Sequence, residues 1–378
     1  MKNSYMGRNI TVLAVFLAFM GMGVVDPILP DIALKLDANH WQVEMLFSAY
    51  ILMMACMMLP AGVLAAKYGD KIIMVLGLGL VAFFSILCSS STSIFDLSLY
   101  RAGWGFSNSL FFATALIVLI ALSKEYYEAV SLFEGAIGLG ISAGPLLGGF
   151  LGEHSWRYPF FATGLLTLFA FFAVLLFVKI PKSDSKRKTI TLNDLKELFS
   201  NKKFILISFS SMLYFYGFFV VLAYSPLVVN LNPIEMGLLF FGWGLALACG
   251  SIILSTRLEK SYKVKDIIPV SILLFSFVLL IMMNIESKAL MSMLIILSGL
   301  LCGVNNSLLT TYVMQLKFEK NIISGGYNFL RWIGAAFAPV LSGFIAGVFD
   351  NMHLPFLVAS LLSIAAFVFL FFLRREAK

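Results

Sequence analysis

Long apolar stretches alternate with short polar connections along the whole chain, and none of the apolar stretches follows a strict two-residue alternation. A membrane-spanning helix needs about 20 mainly apolar residues, whereas a spanning β-strand alternates over about 10 residues. The pattern therefore predicts an all-α membrane protein with twelve transmembrane helices. We number them one to twelve, and their predicted bounds are 10–32, 42–65, 72–91, 95–122, 128–151, 158–179, 204–229, 234–256, 266–285, 289–314, 323–348 and 354–373.

One long polar stretch, PKSDSKRKTITLNDLKELFSNKK, interrupts the series between helices six and seven. It predicts a cytoplasmic linker at 181–203, with a short surface helix from Thr191 in which Asp194 is placed for a capping box. The linker separates an N-terminal six-helix bundle, 1–180, from a C-terminal six-helix bundle, 204–378.

The two halves repeat in sequence. PLLGGFLG in helix five matches PVLSGFIA in helix eleven, which pairs Gly140 with Gly334, and GFSNSL in helix four matches GVNNSL in helix ten. Helices four and five thus correspond to ten and eleven. Such a six-plus-six repeat is typical of transporters built from two similar bundles, whereas a channel or a membrane enzyme does not require it.

Composition and charge agree with a membrane location. Hydrophobic residues make up 60% of the chain and charged residues only 12%, against about 25% charged in soluble domains. If both termini are cytoplasmic, 22 of the 27 Lys and Arg lie on that side and three, Lys35, Arg157 and Lys288, lie outside. The net charge of +7 therefore indicates topology and anionic-lipid contact, and we expect no nucleic-acid partner.

Several classes of site are not expected. The four cysteines fall in apolar runs without ligand-like spacing, and the three histidines lie near helix ends, so we expect buried thiols, no disulfide and no metal. The chain contains no G-x-x-x-x-G-K-S/T motif, and we expect neither a cofactor nor enzyme activity. The first apolar run is too long for a signal peptide, so we expect a retained helix. The cysteines are Cys56, Cys88, Cys249 and Cys302.

Helix five is unusually rich in glycine: GAIGLGISAGPLLGGFLG runs from Gly135 to Gly152. Small residues every four positions form a ridge that lets helix backbones approach in lipid, and an internal proline supplies a bend. We predict that this ridge slides against a matching ridge on helix eight, Gly242, Ala246 and Gly250, across the interface between the bundles. Static packing is the alternative. The residues of the motif are Gly140, Gly144, Pro145, Gly148, Gly149 and Gly152.

The segment GISAGPLLGG, followed by SWRYPF, resembles the glycine–proline antiporter motif on helix five of the major facilitator superfamily, in its twelve-helix drug:proton antiporter branch. VVDPILPDIA in helix one, LYRAGWGFSNS in helix four and NFLRWIGAAFAPVLSG in helix eleven resemble further landmarks of that branch. The resemblance covers the chain. It implies a proton-coupled efflux transporter for apolar or amphipathic, often cationic drugs, with alternating access between two bundles and the proton as coupling ion.

The loop between helices two and three departs from the family pattern G-x-L-A-D-R-x-G-R-K, because it reads GVLAAKYGDK. Ala66 stands in place of the acid, Lys67 in place of the first arginine and Asp70 in place of the second, while Lys71 matches. The resemblance implies that the acid latches the cytoplasmic gate. In this chain, either Asp70 replaces that acid in latching the cytoplasmic gate, or the gate is held closed less firmly. In helix four, Trp104 replaces the usual glutamine.

Four ionisable residues fall at membrane depth, where charge is expensive and usually functional. At 1.5 Å per residue, Asp26 and Arg101 share a depth in the outer half, whereas Glu134 and Arg331 lie in the inner half. We predict proton coupling through Asp26 and Glu134. A fixed ion pair between Asp26 and Arg101, and a structural hydrogen bond for Glu134, are the alternatives. The predicted tuning or gating residues are Arg101, Arg331, Lys67, Asp70 and Lys71; we expect Asp31, Glu44 and Glu235 to be solvated.

Aromatic and polar residues of helices one, four, seven and ten are candidates for the substrate cavity, with ordinary packing or lipid contact as the alternative. They are Trp104, Phe111, Tyr214, Tyr216, Tyr224 and Asn305.

Two other functions stay open on the sequence: a proton-coupled exporter of one endogenous metabolite (a siderophore, a sugar or a lipid product) and a proton symporter. In each case the expected partners are a small-molecule substrate, protons and the lipid bilayer. We expect a monomer in a bacterial cytoplasmic membrane.

Overall fold

The computed structural model describes residues 2–38, 40–180, 190–229 and 231–376. Its regular elements in these ranges are all helical, and twelve helices are long and apolar enough to cross a membrane. Both findings confirm the predicted fold class, while the orientation of the termini stays a prediction. The spanning helices are Lys2–Gly23, His40–Tyr68, Asp70–Ser90, Ile94–Leu122, Tyr126–Gly152, Arg157–Phe177, Lys202–Val229, Ile234–Ser261, Val264–Met282, Lys288–Met314, Lys320–Phe349 and Leu354–Glu376.

Helix one ends earlier than its apolar run, so the predicted bounds 10–32 were wrong. The helix stops at Gly23, and a 3₁₀ turn, Asp26–Ile28, and a short helix, Leu29–Lys35, follow. Proline supplies no backbone N–H and restricts the residue before it, and Pro27 lies in this turn. Asp26 therefore lies beyond the end of helix one rather than inside it.

Helices seven and eight each contain a π-helical segment, Val220–Tyr224 and Cys249–Leu254. A π segment shifts the hydrogen-bond register by one residue and is frequent at functional sites. Both segments continue the apolar run, which is why hydropathy did not reveal them.

The described chain divides into two compact units. The first unit contains Met1–Thr191 and Glu319–Phe329, and the second contains Leu192–Phe318 and Leu330–Lys378. Residues 181–189 of the predicted linker lie outside the described residues; after them, Leu192–Ser200 forms a helix with Asp194 in its first turn. The predicted bundles 1–180 and 204–378, with a linker at 181–203, stay predictions.

The glycine ridge of helix five packs against helix one, so the predicted partner, helix eight, was wrong. A Cβ at Gly140 or Gly144 would come within 3.0 Å of a helix-one carbonyl oxygen, and a Cβ at Gly148 would come equally close to a carbonyl oxygen just beyond the end of helix one, closer than real Cβ atoms come. Those carbonyls belong to Phe16, Met20 and Val24, which are also spaced by four residues.

Two further glycines, Gly149 of the helix-five motif and Gly250 of the predicted helix-eight ridge, extend this correction. Gly149 has open space beside it, with nothing within 4 Å of an added Cβ, so it does not belong to the packing face. Gly250 of helix eight approaches the Leu300 carbonyl of helix ten. Each ridge is thus used inside its own unit, because spacing identifies a smooth face but not the helix that covers it.

The sequence repeat is reproduced in the packing. Gly334 of helix eleven meets the Met212 carbonyl of helix seven, just as Gly140 of helix five meets the Phe16 carbonyl of helix one. In the same way, Gly105 of helix four meets a helix-two carbonyl and Gly303 of helix ten meets a helix-eight carbonyl. Equivalent helix pairs therefore pack through equivalent glycines in the two units.

The expectation of four buried thiols was wrong for two of them. Cys88 and Cys302 are buried, whereas Cys56 and Cys249 are exposed. The surface of a spanning helix faces hydrocarbon, where a thiol behaves as a small apolar group, so an apolar run does not require burial.

Candidate functional site

Arg101 is the centre of a buried cluster in the first unit. Its side chain is fully buried, and the guanidinium carbon lies 4.5 Å from the ring centroid of Tyr50 and 5.0 Å from that of Trp104. Nε and Nη1 are each 3.5 Å from a backbone carbonyl oxygen, those of Leu46 and Gly21. Ring faces and carbonyl dipoles stabilise a cation that has left water. The cluster thus holds a permanent positive charge inside the bundle.

Tyr50 on helix two extends this cluster, and the sequence analysis missed it. The Asn108 side-chain amide donates a hydrogen bond to the Tyr50 hydroxyl, and the Tyr50 ring meets Trp104 edge-on at 6.2 Å. Nothing in the local sequence identifies Tyr50, because its role depends on which helix lies beside helix four.

Trp104 fills space within the first unit. It is fully buried, its ring meets Phe160 of helix six at 6.3 Å, and a Cβ at Gly21 would collide with it. Phe111 is also fully buried, and its backbone lies against Gly77 of helix three. Their contacts lie within the bundle, and a role in lining a cavity stays a prediction.

Of the two carboxyls predicted to couple protons, the structure describes the side chain of one, Glu134, and not that of the other, Asp26. Asp26 begins the 3₁₀ turn after helix one, and its side chain lies outside the described residues, so its relation to Arg101 stays a prediction. Glu134 lies in helix five and is fully buried. One turn and a half earlier, Glu128 forms an ion pair with Arg8 of helix one, which links the N-terminal parts of these two packed helices.

Arg331 holds a second buried positive charge, in the second unit. Its guanidinium carbon lies 4.2 Å from the Phe215 ring centroid, and Nη1 is 3.5 Å from the Thr310 hydroxyl oxygen. The neighbouring Tyr214 on helix seven donates its hydroxyl to Asn306 Oδ1 at 3.0 Å. Helices seven, ten and eleven therefore meet in a polar cluster around a buried cation.

Adjacent asparagines on helix ten differ in their contacts. Asn306 accepts the Tyr214 hydrogen bond. Asn305 is fully buried, yet neither its amide nitrogen nor its amide oxygen finds a hydrogen-bond partner in the described chain. Buried amides are rarely left in this condition, so Asn305 is the strongest candidate among the predicted cavity residues for contact with a polar ligand.

The remaining tyrosine candidates are held in the second unit. Tyr216 is 3% exposed. Tyr224 donates its hydroxyl to the Met352 carbonyl at 2.9 Å and stands 6.0 Å from the Phe356 ring. Neither tyrosine takes part in the contacts described above around Arg331, and the role of both in lining a cavity stays a prediction.

The connection between helices two and three is a tight turn. Gly69 has φ 99°, a conformation that favours glycine, and Asp70 follows in the first turn of helix three. Lys71 Nζ donates to the Leu175 carbonyl at 3.0 Å, and the Lys67 amine lies 5.2 Å from the Tyr68 ring centroid. These contacts order the turn; a latch through Asp70 stays a prediction.

Comparison with known proteins places the chain in a family. The family model described as Major Facilitator Superfamily matches residues 11–338 and 228–378. The multidrug efflux protein YfmO of Bacillus subtilis (strain 168) is 38% identical over 336 residues, which cover 88% of this chain and 84% of that protein. The quinolone resistance protein NorA of Staphylococcus aureus (strain Mu50 / ATCC 700699) is 26% identical over 375 residues, 96% of each chain.

The fold agrees with this relationship. The crystal structure of the human organic anion transporter MFSD10 matches with a TM-score of 0.84 at 15% identity, over 97% of this chain and 99% of that one. The family match confirms the resemblance seen in the sequence and the expectation that the protein is a transporter and not an enzyme. With twelve apolar helices in the described ranges and this match along its length, the chain is a multi-pass membrane protein that belongs to the Major Facilitator Superfamily.

Proposed function

We propose that this transporter is a proton-coupled antiporter that exports apolar or amphipathic, often cationic drugs. The observation that carries the proposal is the fully buried carboxyl of Glu134 on helix five, in a chain related to proteins named for multidrug efflux and quinolone resistance. An intramembrane acid of this kind is expensive to maintain unless it has a function.

The coupling follows from elementary electrostatics. A carboxyl in apolar surroundings favours its neutral, protonated form, and water or a cation nearby favours the charged form. If alternating access changes the surroundings of Glu134, the carboxyl binds a proton on one side and releases it on the other. The membrane potential adds about 2.3 kcal/mol per charge per 100 mV, which drives substrate out as the proton enters.

The other charged residues have supporting roles in this scheme. Asp26 is the second candidate for proton binding. Arg101 and Arg331 are buried and always charged, so we assign them the tuning of carboxyl protonation. We place the protein as a monomer in a bacterial cytoplasmic membrane, with the proton as its only coupling ion.

The test uses purified full-length protein in liposomes with an imposed pH gradient and an internal pH dye. We expect a panel of cationic dyes and drugs to trigger proton flux with the wild type, and Asp26→Asn or Glu134→Gln to abolish it. Flux that appears only with a metabolite fraction from cells would favour the dedicated exporter. The absence of flux with both substrate sets would contradict the antiport mechanism.

A further inference from the structure

A polar cleft opens in the first unit, and its lining residues differ from those of the buried cluster around Arg101. It has a volume of about 390 Å³, which falls within the range of small-molecule sites. The short helix after helix one and the connection between helices five and six form it. Its lining residues are Asp31, Lys35, Leu36, His154, Ser155, Trp156 and Arg157.

The charges of this cleft favour an anion. Lys35 and Arg157 supply two positive charges and Asp31 one negative charge. Helix six begins at Arg157, so the positive end of its backbone dipole lies at the same place. In the described part of the chain, the side chains of Lys35, Asp31 and His154 make no hydrogen bond or ion pair with one another or with other residues. Lys35 therefore forms no ion pair with a described carboxylate.

Arg157 is held in place before any ligand arrives. Its Nη1 donates to the Ser89 carbonyl at 2.7 Å, and its guanidinium carbon lies 4.3 Å from the Trp156 ring centroid. Trp156 is in turn 5% exposed and packs edge-on against Phe160 at 6.1 Å. A fixed guanidinium loses little rotamer entropy on binding, and its Nε and Nη2 donors have no partner in the described chain.

We propose that this cleft is a binding site for a phosphate or carboxylate group attached to a small apolar or aromatic body. The anion lies between Lys35 and Arg157, His154 and Ser155 supply further hydrogen-bonding groups, and the apolar part of the ligand contacts Leu36. Two sources share this chemistry: a free amphipathic anion and the headgroup of an anionic phospholipid. The proposal does not rest on proton coupling, because none of the cleft's residues is assigned to proton binding or to its tuning.

The experiment uses the full-length protein in nanodiscs made only of phosphatidylcholine, with phenyl phosphate as the probe and binding measured by calorimetry. We expect saturable binding that weakens at least tenfold in the Lys35→Gln/Arg157→Gln double variant, because charge-assisted hydrogen bonds are lost. Lys288→Gln, which removes a lysine outside the cleft, is the matched control and should bind like wild type.

Two further arms complete the test. Asp31→Asn should tighten binding several-fold, since it removes the one negative charge of the cleft; a role in folding alone would not produce this gain. Phosphatidylglycerol added to the nanodiscs should compete with the probe if a lipid headgroup is the natural ligand, and should leave binding unchanged if a free anion is. No saturable binding, or equal binding by the double variant and Lys288→Gln, would overturn the proposal.

Discussion

Two buried arginines show how this protein stabilises single charged side chains that have been removed from water. Arg101 lies over the rings of Tyr50 and Trp104, and Arg331 lies over that of Phe215. A desolvated cation–π contact contributes about 2 kcal/mol or more. The sequence identified both arginines because charge stands out in an apolar run. It did not identify the rings, since Tyr50 and Phe215 lie on other helices whose adjacency is a tertiary property.

Replacement of Arg101 by lysine tests this stacking. Lysine keeps the charge but presents no planar face to the two rings, so Arg101→Lys should lower the free energy of unfolding by about 1–2 kcal/mol and reduce transport. Thermal unfolding in detergent measures the first effect. Arg8→Lys, at a partly exposed ion pair, should change stability by less than about 1 kcal/mol. Equal melting of the Arg101→Lys protein and the wild type would contradict a stacking role.

The adjacent asparagines of helix ten allow a matched comparison. Asn306→Leu should destabilise the fold by about 1 kcal/mol, because it removes the Asn306 acceptor of the buried Tyr214 hydroxyl and leaves this hydroxyl the longer contact with the Cys302 carbonyl, at 3.2 Å. Asn305→Leu removes an amide without a partner in the described chain, so it should be neutral or stabilising while transport falls. Melting temperature and dye efflux are measured for both variants. Normal efflux by the Asn305→Leu protein would show that this amide does not contact substrate.

At the scale of helices, the hydropathy pattern predicted the number of spanning helices, because that depends on the length of the apolar runs. It did not predict where helix one ends, where the π segments lie or which helix covers a smooth face, because those depend on backbone geometry and on tertiary packing. Each of the twelve predicted apolar runs corresponds to a helix long enough to span a membrane in the part of the chain that the structure describes. The run of helix one was broken because Pro27 lies within it, and the two π segments left no trace in the pattern. The glycine spacing of helix five predicted a smooth face, but helix one rather than helix eight covers it.

Two glycines of helix five should respond in opposite directions to the same change. Gly144→Ala places a methyl group against a helix-one carbonyl and should destabilise the protein by about 1–3 kcal/mol. Gly149→Ala has open space and gains helix propensity worth up to about 1 kcal/mol, so it should be neutral or stabilising. Thermal unfolding of the two variants decides the matter, and equal melting temperatures would refute the close approach of helices one and five.

The second unit offers the same contrast. Gly334→Ala should destabilise it, because the added methyl meets the Met212 carbonyl, whereas Gly343→Ala should not, because nothing lies within 4 Å. The pair is measured by thermal unfolding alongside the helix-five variants. A destabilised Gly144→Ala protein with an unaffected Gly334→Ala protein would mean that the sequence repeat does not extend to the energetics of packing.

For the whole molecule, the internal repeat seen in the sequence is also seen in the helix packing of the structure. Matching glycines in helices four and ten, and in five and eleven, pack on equivalent carbonyls in the two units. The charges are not repeated: Arg101 is paired by the repeat with Gly299, and Arg331 with Ile137. The architecture is therefore duplicated while each half carries its own ionisable residues, and the proposed coupling carboxyl, Glu134, belongs to the first half alone.

The most direct test of the account compares Glu134→Gln with Glu128→Gln, two changes of the same kind in helix five, in proteoliposomes that report substrate movement. We expect Glu134→Gln to lose accumulation driven by a pH gradient while retaining exchange of labelled for unlabelled substrate at equilibrium. Glu128→Gln, which removes only the ion pair with Arg8, should retain both. Undiminished pH-driven accumulation by the Glu134→Gln protein would contradict proton coupling through this residue.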